Sequence, residues 1–114
     1  MNSEELKKRT KRFALDIIKM VNSLPNSPTA KVIGNQLTRS ATSVGANYRS
    51  ACRGRSKADF ISKITIVEEE ADESCYWLEL LFESDLIDQN TFNKLHKEAN
   101  ELTAIFTSSG KTSK

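Results

Sequence analysis

The chain has 114 residues, of which 38% are hydrophobic and 28% are charged, and its formal net charge is +2. This length suits one domain with a single core, and this composition is typical of a globular protein rather than a disordered one. The first residues are charged and no apolar run approaches the roughly 18 residues of a membrane span, so we expect no signal peptide, no transmembrane helix and a cytoplasmic location.

Charge is unevenly distributed along the chain. Residues 31–57 hold six bases and no acid, whereas residues 58–90 hold one base and ten acids. Such asymmetry predicts a folded surface with a basic side and an acidic side. The alternative is that adjacent helices neutralise each other.

The first helix is predicted from apolar residues that recur every three or four positions, beginning with Leu6. Ser3 can cap it, with Glu4 and Glu5 in the first turn, where the helix dipole favours negative charge. The stretch LPNSP at residues 24–28 ends this helix, because proline cannot donate a helical hydrogen bond.

The second helix is predicted to start near Ser27–Thr29 and to end near Arg53–Gly54, since glycine is common just past a helix. Its apolar face is dominated by small residues. Each interior glycine costs about 1 kcal/mol relative to alanine. We therefore expect a neighbouring helix to approach closely at Gly34 and Gly45.

The third and fourth helices complete the pattern. Ser56 is a predicted cap, with Asp59 three residues later, and the third helix should end around Glu83–Asp85. Two apolar rows predict that this helix is buried on more than one side. The fourth helix should start after Asp88, and the small polar tail at residues 108–114 is predicted to be disordered.

Four amphipathic helices joined by short loops predict an all-α fold, an antiparallel up-down-up-down four-helix bundle over residues 1–107. In the hairpin of the second and third helices, Arg39 lies level with a cluster of carboxylates. We predict an interhelical ion pair from Arg39 to Glu73, with Glu70 as the alternative partner. If buried, the pair would cost about 3–5 kcal/mol to break, and a solvated arginine is the other interpretation.

The same geometry separates Cys52 from Cys75 by too great a distance for a disulfide, so we expect two ordinary buried or half-buried thiols. Asn47 either fixes the helix register by a hydrogen bond or points to solvent. The residues assigned to packing or register are Gly45, Asn47, Tyr48, Phe60, Trp77 and Leu78.

Catalytic and metal-binding patterns are weak in this chain. His96 is the only histidine, whereas a di-iron bundle needs Glu-x-x-His on two helices. The pair Glu70-x-x-Glu73 alone is a poor metal signal, and no glycine-rich phosphate loop or Ser/His/Asp set has credible spacing. We therefore predict no enzyme activity, no cofactor and no metal.

Two basic clusters could contact phosphates, a binding mode that requires little besides charge. The alternative is a solvated surface without a ligand. The cluster at the end of the second helix and in the following turn comprises Arg49, Arg53, Arg55 and Lys57. The first helix carries Lys7, Lys8, Arg9, Lys11 and Arg12, of which Lys8, Lys11 and Arg12 are assigned to nucleic-acid binding.

Three motifs between residues 39 and 81, RSA-x-SVGANY-R, RS-K-x-DF-x-x-K and E-x-DE-x-x-YWLELL, resemble the four helix bundle protein family, also called the 23S rRNA intervening-sequence protein family. Ser50 departs from the pattern, since an acidic residue is common there, and this makes the edge of the second helix more basic. The family pattern matches Arg39, Ser40, Asn47, Tyr48, Arg49, Ser56, Phe60, Glu70, Glu73, Trp77 and Leu78.

The resemblance implies a bacterial antiparallel bundle that assembles as a ring-like homopentamer. A related branch, the accessory variability proteins of diversity-generating retroelements, presents a basic surface to nucleic acid and binds a reverse transcriptase. The resemblance therefore implies binding to RNA or DNA. The alternative is a protein-interaction scaffold, for a reverse transcriptase or another protein, whose charged faces serve only assembly. A ring contact would use the apolar surface of the third helix at Ile61, Ile66, Trp77 and Phe82.

Overall fold

Four α-helices form the predicted all-α, up-down-up-down bundle, with principal extents of 44 × 21 × 20 Å. This computed structural model describes residues 1–113, and the side chains of residues 1–111. The helices are α1 (Ser3–Asn22), α2 (Pro28–Cys52), α3 (Lys57–Glu83) and α4 (Gln89–Ser113). The central helices α2 and α3 pack on each other, and α1 and α4 close the bundle. None of the helices so described is both long enough and apolar enough to cross a membrane.

Side-chain caps begin the first three helices. Ser56 caps α3 as predicted, and Ser27, within the predicted start of α2, caps that helix; each accepts a backbone N–H three residues later. The prediction for α1 is wrong by one residue. The cap is Asn2, whose Oδ1 atom accepts the backbone N–H of Glu5 at 2.9 Å, and Ser3 is the first residue of the helix. Asparagine caps a helix as well as serine does, so the sequence allowed either residue.

The turn between α2 and α3 uses Gly54 for its small size. Gly54 follows the end of α2 as predicted, but its φ is not positive. A Cβ atom at Gly54 would lie 3.0 Å from the carbonyl oxygen of Ala51 and 3.3 Å from the backbone nitrogen of Phe60. The absent side chain therefore lets the chain turn tightly into α3.

The loop between α3 and α4 is defined by two aspartates. Asp85 has φ of 63°, and beyond it the N–H of Leu86 donates to the carbonyl of Leu81 at 2.8 Å, which closes α3. Asp88 then caps α4, because its Oδ1 accepts the N–H of Thr91 at 2.8 Å. This hydrogen bond holds the pKa of Asp88 below its ordinary value.

The C-terminal helix runs further than predicted. α4 continues to Ser113, through most of the segment 108–114 for which disorder was predicted, whereas Lys114 lies outside the described residues. The Ser109 hydroxyl donates to the carbonyl of Ile105 at 2.9 Å, and a Cβ atom at Gly110 would lie 3.8 Å from Ile64 on α3. Hydrogen bonding and packing on α3 thus extend the helix beyond the predicted domain limit.

Every helix contributes a stripe of buried side chains to one core. Tyr48 is 5% exposed and its ring lies 5.3 Å from that of Phe106, while Leu78 is fully buried. Phe60 and Trp77 are half-buried and pack against the core.

Close approach of α1 and α2 accounts for both interior glycines. A Cβ atom at Gly45 would lie 3.2 Å from the hydroxyl oxygen of Thr10, and one at Gly34 would lie 3.1 Å from Val21. These distances are shorter than ordinary contacts, as expected for a close approach of α2 to a neighbouring helix, and the structure identifies that helix as α1. Glycine therefore offsets its low helix propensity by allowing the two backbones to approach.

A buried polar contact between α2 and α3 comes from two serines. The fully buried side chains of Ser40 and Ser74 are hydrogen-bonded at 2.8 Å between their Oγ atoms. Asn47 instead donates to the carbonyl of Ser43 in its own helix at 2.9 Å. The register hypothesis for Asn47 is therefore wrong, because its amide is used within one turn of α2.

Candidate nucleic-acid interface

A groove of about 350 Å³ lies between the start of α1 and the end of α2. We call it the basic groove. Because α1 and α2 are antiparallel, residues near position 8 lie beside residues near position 50. The two basic clusters identified in the sequence therefore meet at one end of the bundle. The groove is lined by Glu4, Lys7, Lys8, Lys11, Arg49 and Arg53.

Helical spacing explains why these side chains share the groove. Residues three and four apart lie on one side of a helix, which relates Lys7 to Lys11 and Arg49 to Arg53. Lys8, Lys11, Arg49 and Arg53 are exposed. Lys7 was not assigned to binding from the sequence, although its spacing to Lys11 contained the necessary signal.

Three predicted binding residues lie outside the basic groove. Arg12, Arg55 and Lys57 are exposed, but they do not line it. Arg55 lies in the turn between α2 and α3, and Lys57 is the first residue of α3. The structure thus brings together four of the seven residues assigned from the sequence.

Arg9, in the same basic segment of α1, has a structural role. Its guanidinium makes two hydrogen bonds of 2.7 Å to Glu98 and one of 2.8 Å to Glu101, both on α4. The hydrogen bonds to Glu98 are the main reason that the pKa of Arg9 is raised. Arg9 therefore joins α1 to α4 and is not available to a ligand.

The charge of the basic groove is largely unneutralised. Among the described residues, none of the seven predicted binding side chains forms an ion pair. The one ion pair in the groove joins Glu4 Oε1 to Lys7 Nζ at 3.2 Å. These positions concentrate positive charge where an anion can approach from solvent.

Arg39 lies elsewhere on α2 and contacts both carboxylates named for it in the sequence. Its guanidinium bonds Glu70 at 2.9 Å and also bonds Glu73, which in turn accepts the indole N–H of Trp77 at 3.2 Å. The Arg39 side chain is 49% exposed. The group is therefore a surface bridge between α2 and α3 rather than a buried ion pair.

A second polar network, not found from the sequence, joins α3 to α4. The thiol of Cys75 donates to Asn100, which contacts His96, which in turn bonds Glu79 at 2.9 Å. Burial raises the pKa of Cys75 to about 11, so its thiol stays protonated and is a poor nucleophile. Cys52 differs from the prediction, since it is exposed at the end of α2.

Metal-binding geometry was sought throughout the described part of the chain. No group of three or more histidine, cysteine or carboxylate side chains there could hold a metal ion. The Glu70 and Glu73 carboxylates noted in the sequence instead share Arg39.

Exposed apolar residues on α3 are fewer than predicted. Phe82 stacks on an aromatic ring of α4 at 4.5 Å, and Trp77 packs against the core. Ile61 is half-buried. Ile66 and Tyr76 remain 42% and 53% exposed.

Comparison with known proteins identifies the family of this chain and a closely similar crystal structure. A family model described as 23S rRNA-intervening sequence protein matches residues 3–108. A crystal structure of a protein of unknown function from the S23 ribosomal protein family of Bacteroides thetaiotaomicron is 34% identical in sequence. The match covers 97% of this chain and 99% of that chain, with a TM-score of 0.89. None of the curated proteins compared with the chain matches it.

Proposed function

Since this chain belongs to the 23S rRNA-intervening sequence protein family, we propose that it is a non-enzymatic, homo-oligomeric protein that binds RNA or DNA through phosphate contacts in the basic groove. One observation carries this proposal. Four bases that the sequence assigned to phosphate binding, on two separate helices, line a single groove together with Lys7.

The chemistry of the groove favours the nucleic-acid backbone over the bases. Phosphate binding needs positively charged donors that are free of internal partners, because binding releases counterions from the nucleic acid. The lining side chains are charged and none is aromatic, so stacking on unpaired bases does not contribute. Contacts with the phosphate backbone orient a protein on a nucleic-acid duplex without recognising the base sequence.

Self-assembly is part of the proposal. A ring-like homopentamer is what the family resemblance implies, and such a ring joins two different surfaces of each subunit. Ile66 and Tyr76 support this assembly, because they are exposed apolar side chains on the acidic helix α3. In a ring, each subunit would contribute one basic groove, and several weak phosphate contacts would act together.

The test is binding of the purified protein to a short structured RNA and to duplex DNA over a series of salt concentrations, with its mass in solution recorded. We expect the logarithm of the binding constant to fall linearly with the logarithm of salt concentration. The double variant Arg49→Gln/Arg53→Gln should reduce the slope on duplex DNA by about 1.8, since each lost phosphate contact contributes about 0.9.

The matched control is Lys31→Gln/Lys94→Gln, which removes the same charge from exposed positions outside the groove. Its salt slope should stay at the wild-type value. Equal losses in both double variants, or no binding at low salt by a protein that is correctly assembled, would overturn the proposal.

A second candidate function is a protein-interaction scaffold, which the exposed Ile66 and Tyr76 also favour. The partner would be a reverse transcriptase or another protein, as the family resemblance implies. The two candidates differ in what the arginines of the groove do. If Arg49 and Arg53 become buried against an acidic neighbouring subunit, they serve assembly, and their substitution should lower the mass in solution.

A further inference from the structure

We propose that Glu4 competes with a nucleic-acid phosphate for the ammonium group of Lys7 in the basic groove. By holding Lys7, Glu4 weakens phosphate binding there. Resting on the proposed function, this inference identifies the residue that limits the affinity of the groove for a nucleic-acid backbone. Glu4 is the one acid among the six residues that line the groove in the described structure.

The geometry of the ion pair makes Glu4 a competitor rather than a structural partner. Its Oε1 atom lies 3.2 Å from Nζ of Lys7, one turn away on α1. The Glu4 side chain is 74% exposed, and that of Lys7 is 30% exposed. The carboxylate therefore lies at the solvent side of the groove, where it can leave without disturbing the core.

The strength of the pair is suited to exchange. An exposed ion pair between neighbouring turns of a helix is weak. A phosphate in the groove would meet Lys8, Lys11, Arg49 and Arg53 together, and would then take Lys7 from Glu4. Binding thus requires that one ammonium group changes partners, and Glu4 reduces the affinity by the free energy of that exchange.

Glu5 provides a matched comparison within the same turn. It carries the same charge, is exposed, and lies in the first turn of α1, where both acids favour the helix dipole. Glu5 does not line the groove. Substitution of either acid therefore changes the net charge and the helix start alike, whereas substitution of Glu4 alone frees Lys7.

The experiment compares Glu4→Gln with Glu5→Gln for binding to a short DNA duplex over a salt series. We expect Glu4→Gln to bind about threefold to fivefold more tightly at low salt, which corresponds to the loss of one exposed ion pair. Its salt slope should stay at the wild-type value, because Lys7 contacts the phosphate in both proteins and only the release of Lys7 from Glu4 is avoided. Glu5→Gln should show a smaller gain with the wild-type slope.

A third variant tests the role of Lys7. In Glu4→Gln/Lys7→Gln the gain in affinity should be lost, and the salt slope should be shallower than that of the wild type by about 0.9, because one phosphate contact is removed. Thermal unfolding of all variants confirms that they are folded. Equal gains in Glu4→Gln and Glu5→Gln would overturn the competitor role while leaving phosphate binding intact. If the wild-type protein and Glu4→Gln both fail to bind the duplex at low salt, the proposed function itself fails.

Discussion

At the scale of single residues, Arg39 is the side chain that links α2 to α3 at the surface. Its guanidinium bonds carboxylates one turn apart on α3, and one of these also holds the indole of Trp77. The half-exposed position of Arg39 determines the energy of this bridge. Water already solvates part of the guanidinium, so breaking the contacts leaves no buried charge unpaired.

Substitution Arg39→Ala should therefore lower the free energy of unfolding by about 1 kcal/mol, well below the roughly 3–5 kcal/mol of a broken buried pair. Chemical denaturation measures this difference. Arg12→Ala is the control, because Arg12 is exposed and has no ion-pair partner in the described structure, and it should change stability little. A loss of 3 kcal/mol or more for Arg39→Ala would contradict the surface assignment.

Sequence reasoning reached the partners of Arg39 but not their exposure. Which residues lie level in an antiparallel hairpin follows from residue numbers alone, and this identified Glu70 and Glu73. The exposure of a side chain depends on how far it turns away from the contact between the helices. Residue numbers carry no information about that direction. For the same reason the hydrogen bond between Ser40 and Ser74 was not predicted, and Asn47 was considered for the role that these serines have.

At the scale of helices, the start of α4 depends on the ionised carboxylate of Asp88. Its hydrogen bond from the N–H of Thr91 satisfies one of the free donors of the first turn. That bond lowers the pKa of Asp88 from its ordinary value of 3.8. A lowered pKa in the folded state means that the cap stabilises the protein above about pH 4, and that this contribution is lost as the pH falls through the folded pKa.

We expect Asp88→Ala to have a lower Tm than the wild type at pH 7, and the difference should narrow when the pH is lowered below 3.8. Thermal unfolding at several pH values measures it. In contrast, Asp88→Asn caps the helix without a charge. The Tm difference between Asp88→Asn and Asp88→Ala should therefore not depend on pH. If the Tm difference between the wild type and Asp88→Ala also stays constant with pH, the role of ionisation is contradicted.

Helix positions were largely predictable, whereas some helix ends were not. Apolar spacing located all four helices, and proline and serine located the start of α2 and α3. The end of α3 at Glu83 lies within the predicted range of Glu83–Asp85, but the left-handed conformation of Asp85 was not foreseen, since glycine or asparagine is the usual signal for it. The end of α4 depends on packing of its last turns against α3, and a polar composition alone carries no information about that contact.

At the scale of the whole molecule, basic residues gather at one end of the bundle. This end combines the start of α1, the end of α2, the start of α3 and the end of α4, whereas the acids of α3 cluster near its middle, between Glu68 and Glu73. The sequence predicted a basic and an acidic side from blocks of charge. The hairpin topology turns those blocks into a separation along the length of the molecule.

The exposed apolar residues of α3 carry the prediction for assembly. Ile66→Lys should lower the mass in solution toward that of the monomer, because it places a charge within the apolar contact proposed between subunits. Light scattering measures the mass, and circular dichroism should show unchanged helix content. Asn26→Lys adds the same charge at an exposed position of the α1–α2 loop and should keep the wild-type mass. An unchanged mass for Ile66→Lys would exclude this face from the assembly.

The antiparallel arrangement also determines the origin of the molecule's electric dipole moment. Two helices point each way, so their macrodipoles oppose one another in pairs. The remaining dipole along the bundle axis comes from charged side chains alone. In the field of a polyanion, a subunit experiences a torque that turns its basic end forward before contact. Acids toward the far end of the bundle, such as Glu79 and Glu83, would thus contribute to the rate of encounter with a polyanion, although they lie well away from the groove.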